Sequence, residues 1–597
     1  MFPRFLVPVL LVALVIAFFL ALPEPRAPQP PDWPAQTGNS FVLRGAQVFD
    51  GERLHRNRDV LVQDGRIAAV GPKVPAPAGT PEFSAEGHTL LPAFIDAHTH
   101  NFGDARSDAL RFGVATQIDL FTAVDSLAAA RVERESLERT DQADLWSAGT
   151  LLTVARGHGT QFGLPIPTLD DATQADAFVA ARIAEGSDFI KLVLEPGRSF
   201  GSTMPTLDAA TVKSAIEAAH ARGKLALVHV STAVDARTAI EAGGDGLAHL
   251  FADTLADADL LALAREREVF VIPTLAVLES VAGRAHGLDD DPRILSHLSP
   301  VQRESLARQF PGNGVRAKLI ERALGNARAL HEAGVTLLAG SDAPNPGTAH
   351  GASLHRELEL LVEAGLTPAQ ALAAATAHPA KRFALADRGR ITSAMRADLV
   401  LVEGDPLADI RATRAIAAVW KNGYRVARLR FDGTAADQAA PLTEPVLGRF
   451  DEGDDGWMPT TDRIRGGTSD VAMVVSGGRL AIDADVRAGS MWPWAGAMRM
   501  LGTAPMEPVD ARDHATLHVR LRASGPVQVL FFSGASAAGV PASWPITDVA
   551  DWTEVSIPLA AVEGFDAARA RALAIVAGPQ PGTVRIEVDS IELRGPE

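Results

Sequence analysis

The alternation of apolar and polar residues divides the chain, after its N-terminal segment, into four regions of different character. Residues 41–91 consist of short alternating stretches separated by Asp-Gly pairs, a pattern typical of β-strands joined by tight turns. Residues 92–385 alternate strand-length apolar runs with Ala-rich amphipathic helices, which indicates a parallel sheet with crossover helices. Alternating stretches return at residues 386–430, and a further strand-rich region covers residues 446–597.

These regions predict an α/β protein with three structural parts. The length and the β/α alternation of residues 92–385 predict a (β/α)8 TIM-like barrel. The two regions that flank it share the same pattern of short alternating strands. We therefore assign 41–91 and 386–430 to one split small β-sandwich. The last region holds five of the eight Trp residues, and its strands predict a separate C-terminal all-β jelly-roll domain.

An apolar segment and a Pro-rich stretch precede the first predicted strand. Residues 5–22 form an apolar run behind Arg4, long enough for a helix of about 27 Å. The run predicts a signal peptide or membrane anchor at residues 1–22, followed by a Pro-rich linker at 23–40. We therefore expect an exported protein, either periplasmic or anchored in the inner membrane and facing the periplasm.

Composition and charge exclude several classes of function. Acidic residues outnumber basic ones by 73 to 56, which gives a net charge of -17, and the sequence has no basic patch. We therefore expect no nucleic-acid partner. The chain contains no cysteine, which excludes disulfides, thiolate nucleophiles and iron–sulfur ligation. A bound metal would have to use His, carboxylate or modified Lys ligands.

Ligand-type residues follow the ends of several predicted strands in the middle region. His98 and His100 end an apolar run in a His-x-His pattern, and alternate residues of a strand face the same side. Residues of similar chemistry end later apolar runs: Lys191, His229, His249 and Asp342. Because the strand ends of a barrel converge on one face, we expect these residues to share one pocket. Taken singly, each also suits a polar loop position, a snorkelling lysine or a satisfied core histidine.

The order His-x-His, Lys, His, His, Asp resembles the metal-dependent amidohydrolase superfamily over about residues 41–430. The segments 340–344 and 350–376 resemble its imidazolonepropionase-like branch, which includes metallo-dipeptidases acting on Xaa-Pro peptides. Imidazolonepropionase itself is a one-metal enzyme without the bridging lysine. Lys191 therefore favours the two-metal, Xaa-Pro dipeptidase-like subgroup.

The resemblance implies a binuclear metal site in which Lys191 is carbamylated and bridges two divalent ions. The remaining implied ligands are, for one ion, His98, His100 and Asp342 and, for the other, His229 and His249. Zn is the expected metal, with Co or Mn as alternatives. The resemblance further implies a metal-bridging hydroxide as the nucleophile, and Asp342 as the catalytic general base and then general acid.

The implied reaction is hydrolysis of a C–N amide bond in a small peptide or N-acyl amino acid, so we expect a small-molecule or dipeptide substrate. Cyclic-amide or lactone hydrolysis at the same site is an alternative. Candidate substrate contacts are His158 in a glycine-flanked loop, His350 and Arg198. Peptidase-like relatives commonly carry His-Ala-Tyr-Gly where this chain reads His229-Val-Ser-Thr, a departure that bears on dipeptide specificity and not on the metal residues.

Residues 446–597 resemble the galactose-binding-like jelly roll of the complex I intermediate-associated protein 30 family. Exposed Trp side chains on such a module can stack on sugars or contact a protein, whereas buried ones fill its core. The five candidates are Trp457, Trp492, Trp494, Trp544 and Trp552. The resemblance implies a glycan or protein ligand. It also leaves an alternative of another class, a non-catalytic envelope protein that binds a glycan or a partner.

Overall fold

A computed structural model gives the fold of most of the chain. It describes residues 33, 36–160, 166–198, 203–310, 317–431, 439–451, 453–462, 468–488, 493–502, 508–533, 541–547 and 549–595. Within these ranges, no helix is both long enough and apolar enough to cross a membrane. The predicted signal peptide or anchor, and most of the predicted linker, lie outside the described residues.

Short alternating strands begin the described chain, as the sequence pattern predicts. They are β1 (Phe41–Phe49), β2 (Leu54–Gln63), β3 (Arg66–Gly71), β4 (Glu82–Ser84) and β5 (His88–Pro92). β1 and β2 pair antiparallel with Leu43 opposite Val60, and both side chains lie in one hydrophobic cluster. Their neighbours Val42 and Leu61 belong to a smaller cluster, because successive side chains of a strand point to opposite faces.

Strands and helices alternate through the middle region. The strands are β6 (Phe94–Thr99), β7 (Val114–Asp119), β8 (Asp144–Ser147), β9 (Ile190–Val193), β10 (Ala226–His229), β11 (Gly246–Ala248), β12 (Phe270–Ile272) and β13 (Thr336–Leu337). The helices are α1 (Ala105–Arg111), α2 (Leu127–Glu135), α3 (Ala175–Ala184), α4 (Ala209–His220), α5 (Ala233–Glu241), α6 (Ala258–Glu266), α7 (Leu275–Val281), α8 (Pro292–Leu295), α9 (Pro300–Ala307), α10 (Ala317–Glu332), α11 (Ala352–Glu363), α12 (Pro368–Ala374) and α13 (Ala377–Arg382). Capping residues start several helices: the side chains of Asp208, Thr232 and Asp257 accept first-turn N–H bonds at α4, α5 and α6.

The middle strands form two parallel sheets, one of three strands (β6–β7–β8) and one of five (β9 to β13). Backbone hydrogen bonds join the two sheets at both edges. The Leu152 amide donates to the Lys191 carbonyl at 2.8 Å, and the Ala97 amide donates to the Ala339 carbonyl at 2.9 Å. The parallel direction puts the carboxyl ends of the strands on one side. The closed eight-stranded barrel stays a prediction.

The two flanking regions share one sheet. The later flank contributes β14 (Leu399–Glu403), β15 (Ile416–Lys421) and β16 (Tyr424–Arg425). β14 pairs antiparallel with β5, with Val400 opposite Leu91, and this pairing completes an eight-stranded sheet. The predicted link between the flanks therefore takes the form of strands in a single sheet, and their description as a sandwich stays a prediction.

The C-terminal region is all-β, as predicted. Its strands are β17 (Ala440–Pro441), β18 (Val446–Gly448), β19 (Trp457–Thr461), β20 (Asp470–Val475), β21 (Leu480–Val486), β22 (Ala495–Met500), β23 (Val509–Asp510), β24 (Thr516–Ala523), β25 (Val527–Ser533), β26 (Ala542–Ile546), β27 (Thr553–Pro558), β28 (Ala570–Ala577) and β29 (Gly582–Arg594). They form sheets of seven and six strands. Residues of both sheets, such as Ile575 and Val519, lie in one hydrophobic cluster, so the sheets pack face to face.

The Trp residues of this C-terminal module divide between its core and its surface. Trp457 and Trp494 are buried, being 2% and 7% exposed. Trp544 and Trp552 are half-buried, and Trp552 lies under the guanidinium of Arg479 at 4.9 Å. Trp492 falls outside the described residues. A glycan or protein ligand of this module, and its resemblance to the jelly-roll family, stay predictions.

A buried carboxyl group lies in the helical layer around the parallel strands. Glu357 on α11 is fully buried, and its Oε2 accepts a hydrogen bond from the Ala276 amide at 2.8 Å. Burial raises the pKa of Glu357 from 4.5 to about 8, although its hydrogen bonds to Ala276 and Leu275 oppose the change. Glu357 therefore remains protonated in the folded protein at neutral pH.

Through Glu357, the free energy of unfolding is expected to fall as the pH rises from 4.5 to about 8. In this window the unfolded chain has lost the Glu357 proton and the folded chain keeps it, so unfolding releases a proton. Glu357→Gln removes this release, and its urea-unfolding free energy should change less between those pH values. Glu363→Gln, which alters a 40% exposed carboxylate on the same helix, should keep the wild-type slope. Equal slopes for Glu357→Gln and wild type would contradict the prediction.

Candidate metal centre

The predicted ligand residues lie in or directly after the middle strands, all but one of them at the carboxyl ends. The exception is Lys191, which the sequence predicts at the end of an apolar run but which is the second of the four residues of β9. His98 is in β6, and His100 follows that strand. The others lie at or just after later strands: Lys191 in β9, His229 in β10, His249 after β11 and Asp342 after β13. His98 is fully buried, and Lys191, Asp342 and His229 are 3%, 5% and 7% exposed. The strand topology thus brings residues from both ends of the middle region to one place.

The Asp342 carboxylate is the centre of this cluster. Its Oδ1 lies 3.0 Å from Nε2 of His100 and 3.3 Å from Nε2 of His98. Its Oδ2 lies 3.8 Å from Nδ1 of His249. One possible ligand atom from each of His98, His249 and Asp342 lies within 4.8 Å of the others. Such spacing allows all three side chains to reach a single cation.

A row of imidazole rings extends from this point across the pocket. The ring centroids of His98 and His249 are 4.6 Å apart, and those of His249 and His229 are 4.5 Å apart. The His158 ring lies next, 4.7 Å from that of His229. The row connects the Asp342 end of the cluster to the glycine-flanked loop that the sequence marks as a substrate contact.

Two of the ligand residues adopt left-handed backbone conformations. His249 has φ 69° and Asp342 has φ 54°. Tertiary hydrogen bonds hold both: the Asp342 amide donates to the His98 carbonyl at 2.8 Å, and the His249 amide donates to the Ile272 carbonyl at 3.2 Å. Non-glycine residues in this region cost free energy and concentrate at functional sites. The conformation aims both side chains at the cluster.

Burial keeps most of these imidazoles neutral. It lowers the pKa of His98, His229 and His249, and neighbouring charged groups such as Lys191 lower the pKa of all three further. Burial also acts to lower the pKa of His100, but the adjacent Asp342 carboxylate reverses the direction, and the net pKa is raised. Neutral imidazole is the form that binds metal ions.

Lys191 is an isolated buried amine. Its Nζ has no hydrogen-bond partner in the described part of the chain. Burial lowers its pKa from 10.5 to about 7, against the opposing charges of Asp342 and Asp119. A lysine in this state is uncharged in a large fraction of molecules at neutral pH, and its amine lone pair is then available.

A divalent cation fits the donor atoms of the cluster. Both ring nitrogens of His98, Nζ of Lys191 and Oδ1 of Asp342 are buried, and none makes a hydrogen bond among the described residues. Buried polar atoms normally have partners, so this group of unsatisfied atoms needs an explanation. Imidazole nitrogen and carboxylate oxygen are ligands that Zn, Co and Mn accept. The residues present therefore suit the metal that the sequence predicts.

Two further carboxylates hold the ligand loops and were not identified from the sequence. Asp96 accepts hydrogen bonds from the Ser341 hydroxyl at 2.6 Å and from the His98 amide at 3.2 Å. Asp119 accepts from the Asn101 amide at 2.7 Å. Burial raises the pKa of Asp96 to about 7 and that of Asp119 to about 6. Asp96 lies two residues before His98, on the same face of β6, and Asp119 ends β7. The usable signal was therefore the shared strand face for Asp96 and the strand end for Asp119.

Two more residues, also missed, fix histidine orientation. The Glu195 side chain is fully buried, with Oε2 3.3 Å from Nε2 of His229 and Oε1 accepting from the Gly197 amide at 2.6 Å. The Thr274 hydroxyl lies 2.9 Å from Nδ1 of His249. A partner on one ring nitrogen sets the tautomer and leaves the other nitrogen as the ligand atom. Glu195 lies two residues beyond the end of β9, so the alternation of a strand does not predict the direction of its side chain.

The three predicted substrate contacts lie at different distances from the cluster. His158 joins the row of rings, and burial and His229 lower its pKa to about 3. His350 is buried, with Nδ1 3.1 Å from Nε2 of Gln117. Arg198 is exposed and lies at the end of the described segment 166–198. All three stay predictions as substrate contacts.

Comparison with known proteins gives the family. The profile described as "Amidohydrolase family" matches residues 89–426. An imidazolonepropionase of Salinispora arenicola is 27% identical over 381 residues, covering 61% of this chain and 90% of that protein. A solved Xaa-Pro dipeptidase with bound methionine in the active site shares the fold with TM-score 0.53 at 21% identity, covering 65% of this chain and 99% of that one. The A. niger ochratoxinase matches with TM-score 0.51 at 21% identity, covering 65% and 95%.

The family match and the site agree. The matched range begins before His98 and ends after Asp342, so it contains every predicted ligand. It ends at residue 426, before the C-terminal module, whose status as a separate domain stays a prediction. The chain belongs to the amidohydrolase family and is a hydrolase that acts on carbon–nitrogen bonds.

Proposed function

We propose that the protein is a metal-dependent amidohydrolase that cleaves the C–N amide bond of a small peptide or an N-acyl amino acid. The observation that carries the proposal is the buried cluster around Asp342, where ligand-type atoms of His98, Lys191 and Asp342, from three strands, lie without hydrogen-bond partners among the described residues. A structural core has no need for such a group. The related Xaa-Pro dipeptidase fold supports a peptide-like substrate.

Two divalent cations, Zn by default and Co or Mn as alternatives, complete the proposed site. His98, His100 and Asp342 would hold one of them, and His229 and His249 the other. When bound, such ions act as Lewis acids on the substrate carbonyl and make water a nucleophile near neutral pH. Two ions of this kind in a buried pocket require an additional anionic ligand to balance their charge.

Carbamylation of Lys191 would supply that ligand. The neutral amine attacks CO2, a nitrogen–carbon bond forms, and one proton leaves, so a neutral base becomes an anionic group with two donor oxygens. The partnerless Nζ and its burial among the ligand histidines support this step. An ammonium group at the same position would repel cations and has no lone pair to donate.

Asp342 would move the proton during hydrolysis. Its carboxylate would accept a proton from the attacking water and deliver it to the nitrogen of the scissile bond, so that amide and water become carboxylic acid and amine. His100 Nε2 lies 3.0 Å from Oδ1, and the left-handed backbone sets the direction of the side chain. His158, at the end of the ring row, would contact the substrate, with His350 and Arg198 as further candidates.

A cyclic amide is a second candidate substrate, favoured by the similarity to imidazolonepropionase over most of that protein's length. Lactone hydrolysis is part of the same alternative. Opening a cyclic ester and opening a cyclic amide need the same nucleophile and the same proton carrier. We further propose export of the protein to the periplasm or to the outer face of the inner membrane, on the strength of the apolar run at residues 5–22.

The test combines metal analysis with a substrate panel. The full-length protein is loaded with Zn, Co or Mn in the presence of bicarbonate, its metal content is measured by mass spectrometry, and dipeptides, N-acyl amino acids, cyclic amides and lactones are assayed. Two ions per chain and turnover of an open-chain amide support the first proposal, and turnover of cyclic amides alone supports the second. A loaded protein that turns over no member of the panel would overturn both.

Glu195→Ala is expected to lower metal affinity by about 10- to 100-fold, the usual cost of losing a residue that orients a metal-binding histidine. Without Glu195, Nε2 of His229 loses its partner, and the ring is free to take the other tautomer or rotate. Chelator competition measures the affinity. Glu195→Gln keeps an acceptor oxygen and should lose less, whereas Glu185→Ala, at a 33% exposed carboxylate after α3, should match wild type. Wild-type affinity in Glu195→Ala would rule out the orienting role.

A further inference from the structure

Helix α9 lies between the C-terminal module and the segment that carries Asp342. Glu304 of α9 forms an ion pair with Arg571 of β28. The Arg571 side chain is 4% exposed and that of Glu304 is 20% exposed, so water screens this pair poorly. Glu304 also lies 2.7 Å from Arg308 and 4.0 Å from Arg569. Loss of Arg571 therefore removes the most buried of its contacts with the module without leaving Glu304 unpaired. The module therefore has a strong polar contact with α9.

The same helix holds the segment 342–350 through residues beside Glu304. Gln302 Nε2 donates to the His350 carbonyl at 2.7 Å. The Ser305 hydroxyl donates to the Thr348 carbonyl at 2.7 Å, and the Ser305 carbonyl accepts from the Gly347 amide at 2.8 Å. Both Gln302 and Ser305 are buried. These bonds fix the backbone of the segment against α9.

The segment in turn fixes Asp342. Nδ2 of Asn345 donates to the Asp342 carbonyl at 2.8 Å, and the Thr348 hydroxyl donates to the Asn345 carbonyl at 2.9 Å. Asp342 itself has a left-handed backbone, which persists only where its surroundings hold it. A shift of Thr348 therefore reaches Asp342 through direct hydrogen bonds.

We propose that the C-terminal module positions Asp342 through α9, and that Arg571 is the positioning residue. Glu304 and Ser305 are consecutive residues of one helix of eight residues. A displacement of Glu304 therefore moves Ser305 with it. The chain of contacts runs from Arg571 to Glu304, along α9 to Ser305 and Gln302, and then to the backbone around Asp342. The role assigned to the module is to hold the geometry of the active site, in addition to any ligand it binds.

Two measurements on the full-length protein test this proposal: hydrogen exchange, which needs no substrate, and the kcat of amide hydrolysis. In Arg571→Ala, the Gly347 amide should exchange faster, and kcat should fall by about tenfold with a smaller change in KM, because small displacements of a reacting group are costly. The matched control is Arg585→Ala, which breaks an exposed ion pair with Asp483 on the same module and should change neither readout. If the contact only attaches the module to the rest of the protein, Arg571→Ala should lower the melting temperature of the module and leave the exchange rate of the Gly347 amide unchanged. That result would contradict the proposal.

A charge reversal separates positioning from general loss of stability. Arg571→Glu and Glu304→Arg should each accelerate exchange at Gly347, and the double variant should restore slow exchange and kcat because it rebuilds the pair in the opposite sense. Glu304→Gln, which leaves the module untouched, should reproduce the effect of Arg571→Ala even where the arginine variants fold poorly. Wild-type exchange and kcat in Glu304→Gln would overturn the proposal, as would a double variant no better than the single ones.

Discussion

Lys191→Ala is expected to lower hydrolysis by about 10³-fold or more and to remove metal from the purified protein. The contribution of a metal to charge stabilisation in a transition state is several kcal/mol, and about 4 kcal/mol corresponds to that factor. Lys191 is the residue proposed to supply the bridging anion, and its Nζ lies buried without a hydrogen-bond partner among the described residues. Mass spectrometry of the metal and kcat/KM on the best amide of the panel measure the two effects.

A second buried lysine provides the control. Lys421 is fully buried, but its Nζ donates to Asp144 at 2.8 Å and to Asp398 at 2.9 Å. Lys421 is thus buried like Lys191 but already has two carboxylate partners, so it lacks the feature on which the carbamylation proposal depends. Lys421→Met should lower stability and leave the metal content of the folded protein unchanged. In Lys191→Ala, formate or acetate should restore part of the activity by filling the space of the lost anion. Full metal content and activity in Lys191→Ala without any carboxylate would refute the bridging role.

The residues of the candidate metal centre can be found in the sequence because the topology of parallel strands fixes where strand ends meet. Their role as ligands stays a prediction. His98 and Asp342 are distant in the chain, yet their side-chain atoms lie 3.3 Å apart. The prediction needs only that apolar runs form parallel strands and that a ligand-type residue follows each run. The prediction does not depend on which residues of two neighbouring strands lie opposite each other. This is why the ligand set meets in the structure even though the complete barrel stays a prediction.

The residues that orient the ligands are harder to predict, because tertiary contacts set their direction. Glu195 lies beyond the end of β9, where no strand period fixes its side chain, and its carboxylate turns toward His229. Thr274 reaches His249 from a left-handed backbone with φ 49°, a conformation that a threonine adopts only under constraint. Neither position carries a local sequence signal for its partner.

Strand partners are a further limit of the sequence pattern. A period of two predicts which residues share a face, but not which strand lies alongside. The alternation at residues 41–91 and 386–430 therefore predicts strands correctly, whereas the pairing of β5 with β14 in one sheet follows from the path of the chain around the middle region. The contact between Glu304 and Arg571 has the same origin, since the two residues belong to different parts of the fold.

Asp342→Asn is expected to lower kcat on an unactivated amide by about 10³-fold. The variant keeps the shape of the side chain and one acceptor oxygen, but it can neither accept a proton from water nor deliver one to the leaving nitrogen. General acid–base catalysis alone contributes about 10²- to 10⁴-fold, and loss of a negative charge between two histidines weakens metal binding as well. Asp245→Asn, at the opposite ends of the strands beside His220 and the Ala226 amide, should retain activity.

The leaving group distinguishes the two roles of Asp342. The leaving group of a nitrophenyl ester is a nitrophenolate anion, which departs without protonation. The leaving nitrogen of an alkyl amide has to gain a proton before the C–N bond breaks. If Asp342 delivers that proton, Asp342→Asn should lose much more activity on an alkyl amide than on a nitrophenyl ester of the same acid, at equal metal content. If its role is confined to holding a cation, both substrates should lose activity by the same factor. Equal losses would remove the proton-transfer role and leave Asp342 as a ligand only.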